Sequence, residues 1–242
     1  MTFLEPLVRG TLLRRYKRFL ADVVLDGGQT VVAHCANSGS MLSVDTPGSE
    51  VWLSPARNPD RKLRYTWELI RIGDTLVGIN TARPNAIVAE AVAAGTVPEL
   101  AGYATVRREV RYGRSSRIDL VLETPGRPRC LVEVKNVTLK RRDGAESPVE
   151  FPDAVTARGT KHLDELADRV RDGDRAVMLF LAQRDDADRF AIAGDIDRSY
   201  AEAFARATAA GVEALCYRCR VSTREIRLDR PIPVPVGGPS GR

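Results

Sequence analysis

Residues 117–137 read Arg117-Ile-Asp119-Leu-Val-Leu-Glu123-Thr-Pro-Gly126-Arg-Pro-Arg-Cys130-Leu-Val-Glu133-Val-Lys135-Asn-Val137. Two apolar runs flank Glu123-Thr-Pro-Gly-Arg-Pro, a turn signal, so the stretch predicts a β-hairpin. Asp119, Glu133 and Lys135 put charge into strands, where burial makes charge expensive. Glu133 and Lys135 are two apart and share one face, while Val134 points to the other. A hairpin closed symmetrically about Gly126 sets Asp119 opposite Glu133, with Cβ atoms about 5 Å apart. Two carboxylates that close repel unless a cation lies between them. Hard oxygen donors suit Mg²⁺ or Mn²⁺. Lys135, on the same face, can stabilise charge on a phosphate or assist deprotonation of water. Asp119, Glu133 and Lys135 are therefore the candidate catalytic residues. A cross-strand ion network with no metal is the structural alternative.

The flanking pattern extends this hairpin into a mixed α/β domain. Before it, Asn85–Ala94 is Ala-rich, periodic at helical spacing and stopped by Gly95, and Ala104–Tyr112 reads as a strand. After it, Ala154–Val170 predicts a helix. Ala176–Ala182 is a nearly unbroken apolar run, expected as a strand buried on both faces. Ser199–Ala210 is a helix and Val212–Val221 a last strand. The first eighty residues differ. Leu7–Leu13, Phe19–Leu25, Thr30–His34, Val51–Leu53, Tyr65–Ile72 and Thr75–Ile79 are short β-rich runs separated by turn signals such as Asp26-Gly-Gly28 and Gly73-Asp74. Five or six strands in this length fit an OB-like barrel. The expected organisation is an OB-like barrel over 1–82, an α/β domain over 83–230 and a Pro/Gly-rich tail over 231–242.

The chain has 242 residues with a formal net charge of +5. The surplus is concentrated: residues 105–142 hold eleven Arg/Lys against four Asp/Glu, a surplus of seven. A polyphosphate partner needs such a concentration, whereas the bland reading is a solvated basic face. Arg14-Arg15-Tyr16-Lys17-Arg18-Phe19 mixes cations with rings between two strands, as a loop binding single strands or a phosphate backbone would. The polar loop His34-Cys-Ala-Asn37-Ser-Gly39-Ser40 offers a nest for phosphate. On the predicted helix from 154, Arg158 and Lys161 can hold a phosphate, and Lys161 and Glu165 have the spacing of an i,i+4 pair. His162 is one of two histidines and an accessory candidate, as is Gln183 at the end of the buried strand. Four cysteines make no disulfide scaffold. Cys216 and Cys219 have CxxC spacing, but in a strand a three-residue offset sends the thiols to opposite faces, so no zinc is expected. No apolar run approaches membrane-spanning length and no signal-peptide pattern opens the sequence, which predicts a soluble cytoplasmic protein. No phosphate loop, dinucleotide fingerprint or nucleophile elbow points to small-molecule chemistry.

The order Asp-x13-Glu-x-Lys on a hairpin resembles the metal site of the PD-(D/E)xK nuclease superfamily. In that superfamily the preceding helix often supplies another carboxylate, and the resemblance implies Glu90 as a further metal ligand. A longer set of motifs resembles the sugar fermentation stimulation protein family. These are His34-Cys-Ala-Asn-Ser-Gly39, Tyr65-Thr-Trp-Glu68, Asn80-Thr-x-x-Pro-Asn85, Glu109-Val-x-Tyr-Gly113, Ser116-Arg117-Ile-Asp119, Glu133-Val-Lys-Asn-Val-Thr-Leu139, Phe151-Pro-Asp-Ala-Val-Thr156 and Arg158-Gly-x-Lys-His-Leu163. The resemblance runs from about Leu12 to Val221. It implies an N-terminal OB-like domain, a C-terminal PD-(D/E)xK nuclease-like domain, and DNA binding without strong sequence preference. The expected function is DNA binding with a nuclease-type site that uses Mg²⁺ or Mn²⁺. Arg14, Arg15, Tyr16, Lys17, Arg18, Asn37, Arg117, Arg158 and Lys161 are the nucleic-acid contacts. The alternative is a non-catalytic DNA-binding regulator of sugar (maltose) metabolism. In the family the loop after His34 usually carries Arg where this chain has Ser40, which removes one cation from that loop.

Overall fold

A computed structural model describes residues 1–235 apart from 59, 113–115 and 145, so most of the expected tail, 236–242, lies outside the described residues. The first half is a barrel of β1 (Val8–Tyr16), β2 (Leu20–Leu25), β3 (Thr30–Cys35), β4 (Glu50–Pro55) and β5 (Tyr65–Ile72), with β6 (Thr75–Gly78) on its edge. The order is β3-β2-β1-β4-β5, and parallel pairing of β3 with β5 closes it. Alternating inward residues make its core, including Leu12, Ala21, Val23, Ala33, Leu53, Trp67 and Ile70. Closure removes the free edges that a five-stranded sheet would expose. β1 is longer than expected. Arg14 pairs in register with Asp22 and Tyr16 with Leu20, so Arg14, Arg15 and Tyr16 belong to the strand, and of the five cationic and aromatic candidates Lys17 and Arg18 alone lie in the turn, which Phe19 completes.

The second half is a six-stranded sheet, order β14-β13-β11-β9-β8-β7. Its strands are β7 (Thr105–Tyr112), β8 (Ser116–Glu123), β9 (Cys130–Val137), β11 (Arg175–Ala182), β13 (Glu213–Val221) and β14 (Ile226–Ile232). β9, β11 and β13 run parallel, and antiparallel strands flank them. Helices α2 (Ala157–Arg171) and α3 (Arg198–Ala209) cover one face, where Leu163, Leu166, Tyr200 and Phe204 meet Leu131, Met178 and Phe180. Helix α1 (Pro84–Ala93) covers the other, with Ile87, Val88 and Ala91 against Leu120, Val132, Val134 and Leu179. The apolar run 176–182 lies at the centre and divides its side chains by parity. Val177, Leu179 and Leu181 face α1, while Met178, Phe180 and Ala182 face α2 and α3. Burying each Val, Leu, Met or Phe of this run contributes roughly 1.5–3 kcal/mol. Cys216 and Cys219 fall in opposite clusters, so one ion cannot take both thiols.

Three strands escaped the sequence reading. β14 carries Pro231 and a buried Ile232 into pairing with Tyr217 and Cys216, so the chain is ordered past the expected start of the tail. It is an edge strand, where proline costs no ladder bond. The short parallel pair β10 (Val149–Phe151) and β12 (Phe190–Ile192) is too brief to give a periodic signal. Among the described residues no helix is long and apolar enough to cross a membrane.

The two halves are joined by buried polar contacts. Glu68 on β5 accepts hydrogen bonds from Ser54 Oγ (2.8 Å), Asn80 Nδ2 (2.9 Å) and the Nε (3.0 Å) and terminal nitrogen (2.5 Å) of Arg83. Those bonds hold the connection that enters α1. Gln183, fully buried after β11, donates to Asn80 O (3.3 Å) and Asn136 Oδ1 (2.7 Å), and its carbonyl accepts from Gly78 N (2.8 Å). A Cβ at position 78 would stand 2.8 Å from Gln183 Oε1, which explains the glycine at this crossing. From the other side, Asp153 accepts from Met41 N (3.0 Å) and Ser40 Oγ (3.2 Å), clamping the barrel loop to the second half.

Candidate functional site

The hairpin closes as expected about Gly126: Leu120 pairs with Val132, Val121 with Leu131 and Leu122 with Cys130. The ladder then opens at Asp119. Its Oδ2 accepts from Val134 N at 2.7 Å, taking the place of a backbone carbonyl. Its Oδ1 accepts from Asn85 Nδ2 at 2.6 Å, and the same nitrogen donates to Glu109 Oε1 at 3.0 Å. Glu109 stands opposite Asp119, between the pairs Arg108–Leu120 and Val110–Ile118. Its backbone is in the left-handed region at φ 52°, a strained conformation for a strand residue.

Glu133 and Lys135 lie on the α2 face of β9, and Val134 packs on the α1 face. Lys135 Nζ donates to Glu133 Oε1 at 2.8 Å, and His162 Nδ1 is bonded to the same oxygen. Lys135 Nζ is also 3.2 Å from His162 Nδ1, and Arg158 Nε donates to His162 Nε2 at 3.3 Å. α2 presents these two residues because its first turn is pinned. Thr156 caps it by accepting from Gly159 N (3.0 Å), and Asp197, the cap of α3, accepts from Thr156 N (2.8 Å). Glu133 Oε2 is buried and makes no hydrogen bond.

The electrostatics set the two carboxyls apart. Burial, reinforced by the charge of Glu133, pushes the Asp119 carboxyl up to about 6, against the opposing pull of Val134 N–H, Lys135 and Asn85. Burial also pushes Glu133 upward, but its bonds to His162 and Lys135 and their charges outweigh it, and the net shift is downward. The two neighbouring carboxyls are thus shifted in opposite directions, one by burial and the other by its cationic partners.

Asp119, Glu133, Lys135, His162 and Arg158 thus form one cluster. The other candidates fall elsewhere. Glu90 is exposed and pairs with the Met1 amine at 2.6 Å, and α1 reaches the cluster through Asn85 instead. The two are five residues apart, about 140° around a helix, so one helix cannot turn both toward Asp119. Among the described residues, no group of three His, Cys, Asp or Glu side chains converges to hold a metal ion as positioned. Gln183 serves the junction of the halves. Asn37 is buried, donating to Ile79 O (2.9 Å) and accepting from Gly39 N (2.9 Å), so it shapes its loop. Arg15 spends its guanidinium on the carbonyls of Arg18 (3.2 Å), Asn37 (3.1 Å), Gly39 (2.9 Å) and Ser40 (2.9 Å). Arg14 pairs with Asp22 (2.7 Å) and lies over the Tyr16 ring (4.8 Å). Lys161 pairs with Glu165 (3.5 Å) on α2. Arg117 is exposed on β8 opposite Arg111. Lys17 and Arg18 are exposed at the turn, both with positive φ (46° and 64°). Asn85 and Glu109, in the cluster but absent from the candidates, stood in the motif segments that carried the family resemblance. Their types gave no separate signal.

Comparison with known proteins agrees with this architecture. Residues 13–79 match the description "SfsA N-terminal OB domain", and residues 82–225 match "Sugar fermentation stimulation protein RE domain". A sugar fermentation stimulation protein homolog of Paramagnetospirillum magneticum is 62% identical over 232 residues, 96% of this chain and 97% of that protein. One of Rhodospirillum rubrum is 58% identical over 242 residues, 97% of this chain and 99% of that protein. The structure of Pyrococcus furiosus SfsA in complex with Ca²⁺ superposes with a TM-score of 0.83 at 27% identity, covering 96% of this chain and 98% of that one. The fold is an OB barrel followed by a PD-(D/E)xK nuclease-like domain, and the chain belongs to the sugar fermentation stimulation protein family.

Proposed function

We propose that this protein binds DNA and hydrolyses its phosphodiester bonds with Mg²⁺ or Mn²⁺ held by Asp119 and Glu133. The observation that carries the reading is the buried, unbonded Glu133 Oε2 next to an Asp119 whose carboxyl is pushed up to about 6. Both are the marks of an oxygen pair that a divalent cation would relieve. The Ca²⁺ of the Pyrococcus furiosus relative supports a hard cation as ligand.

A divalent cation bound there supplies Lewis acidity toward the phosphodiester and toward water. The chain's own groups do the rest. Lys135 presents its ammonium beside Glu133 with 14% of its side chain exposed, and would stabilise charge developing on a phosphate oxygen bound there. Arg158 is exposed one helical turn from His162 and supplies a second cation to the backbone. Asn85 orients Asp119 by its bond to Oδ1 and bridges it to Glu109. The reading is tested by cleavage of single-stranded, nicked, branched and duplex DNA with Mg²⁺ or Mn²⁺ and with chelator. Cation-dependent cleavage supports it. Binding without cleavage on every substrate would overturn it in favour of the second reading, a DNA-binding regulator of sugar metabolism without turnover. One observation favours that second reading: no three metal-binding side chains converge among the described residues.

DNA binding is assigned to the exposed cations. The Lys17 and Arg18 side chains make no ion pair or hydrogen bond among the described residues and occupy a turn conformation that lysine and arginine disfavour, which holds them outward from the barrel. Replacing both by Ala is expected to weaken DNA binding and to reduce the slope of log affinity against log salt by about one to two, a unit per lost phosphate contact. Fluorescence anisotropy at several salt concentrations checks this. An unchanged slope would remove the turn from the interface.

A further inference from the structure

We infer that Arg158 and His162 form a positioning pair that locks the imidazole in its Nδ1–H tautomer and thereby leaves a single Glu133 oxygen, Oε2, open for a cation. The role toward a cation rests on the proposed nuclease-type site; the tautomer rests on geometry alone.

Two contacts select the tautomer, and the third polar group near the ring, Lys135 Nζ at 3.2 Å from Nδ1, directs its proton to the nearer Glu133 Oε1 at 2.8 Å. The Arg158 Nε–H can only donate, so His162 Nε2, 3.3 Å away, must offer its lone pair. The proton of the neutral ring then lies on Nδ1, the nitrogen bonded to Glu133 Oε1. An ionised carboxylate and an unprotonated ring nitrogen would repel at that contact, so the Glu133 side demands the same arrangement. Lys135 adds a second donor to Oε1 at 2.8 Å. Oε1 is thereby saturated, and Oε2 is buried with no partner. Free imidazole favours the proton on the other nitrogen, so the lock is a property of this environment. Arg158 and His162 are four residues apart on α2 and therefore share one face, which is why one helix turn supplies both parts. Outer contacts of this kind typically change metal affinity 10–100-fold when removed.

The other histidine is an internal control. Arg61 donates a terminal N–H to His34 Nδ1 at 3.3 Å, which places the His34 proton on Nε2. The chain has only two histidines, so the long-range ¹H–¹⁵N spectrum of labelled full-length protein at pH 8 contains two rings in opposite tautomers. Substitution of His34 assigns them. A pyrrole-type Nδ1 and pyridine-type Nε2 for His162 is the expected result, lost in Arg158→Ala. A protonated Nε2 at His162, alone or together with Nδ1, would overturn the inference.

Two substitutions separate the nitrogens by function. Asn carries its amide nitrogen at the position of Nδ1, and Gln reaches the position of Nε2. Mn²⁺ affinity, measured by calorimetry, is expected within about threefold of wild type in His162→Asn and about 10–100-fold weaker in His162→Gln and His162→Leu. Equal losses in Asn and Gln, with cooperative unfolding retained, would overturn the positioning role. Failure of the wild type to bind Mn²⁺ would defeat the nuclease-type reading while the spectrum still decides the tautomer.

Discussion

Replacing Asp119 by Asn is expected to stabilise the metal-free protein at pH 8 by about 1–3 kcal/mol while lowering cation-dependent DNA cleavage by about 10²–10³-fold. Folding lifts the Asp119 carboxyl from an ordinary value of 3.8 to about 6, chiefly through burial. Between those pH values the folded chain holds a proton that the unfolded chain has released. The stability this group contributes is complete below 3.8 and is lost as pH rises through 6. At pH 8 the ionised carboxylate opposes folding, and a neutral amide of the same shape relieves it. Asn can still accept from Val134 N, while the Asn85 amide must turn over and give up its bond to Glu109, which sets the lower end of the expected range. Glu133→Gln is expected to lower cleavage as far but to act oppositely on stability. The Glu133 carboxyl is held below its ordinary value, so its stability is present above the usual carboxylate range and lost as pH falls through the depressed value. The amide loses the charge-assisted bonds that Lys135 and His162 make to the carboxylate. Chemical unfolding of both variants from pH 4 to 8, beside a cleavage assay, checks the pair. A destabilised Asp119→Asn at pH 8, or cleavage retained in either variant, would refute the assignment of opposed carboxyls.

Glu68→Ala is expected to destabilise the protein by about 2–4 kcal/mol, lowering its unfolding temperature by about 5–15 °C. The Glu68 side chain is fully buried and takes four hydrogen bonds, two of them from Arg83. Removal leaves Ser54 and Asn80 without their acceptor and Arg83 without its anion. The loss falls below that of a wholly buried pair because Arg83 keeps 34% of its side chain in solvent. The same change should reduce cleavage under conditions where the variant is folded, because the segment Glu68 anchors leads directly to Asn85 and hence to Asp119. Arg171→Ala, which breaks an exposed pair with Asp168, is expected to leave the midpoint where it is. Calorimetry of the two variants distinguishes them, and an unchanged midpoint in Glu68→Ala would mean that the junction is not held by this carboxylate.

Much of the site was legible because it depends on two-residue periodicity within a single hairpin. Apolar runs around a Pro-Gly turn specify which residues share a face. The symmetric register brought Asp119 toward Glu133 without any knowledge of the rest of the chain. The same holds for the buried run 176–182, whose continuity required cover on both faces, and for the opposed thiols of Cys216 and Cys219. The cations were legible in number but not in use. Arg14, Arg15, Lys17 and Arg18 look alike in sequence. Yet Arg15 holds carbonyls of a loop more than twenty residues away, Arg14 pairs with Asp22 across the hairpin, and of these four only the side chains of the two turn residues reach solvent without a partner among the described residues.

Local pattern alone determined the two architectures and their order along the chain, and it placed Asp119, Glu133 and Lys135 in one hairpin, because periodicity and turn chemistry act over a few residues. Long-range packing decided what completes the trio. The angular phase of α1 brought in Asn85 and turned Glu90 toward the amino terminus. The docking of α2, fixed by Asp197 from a helix forty residues on, delivered His162 and Arg158 to Glu133. The physical reason is directional. A hydrogen bond needs its partner placed to within a few tenths of an ångström, and between distant segments only the packed core supplies that placement.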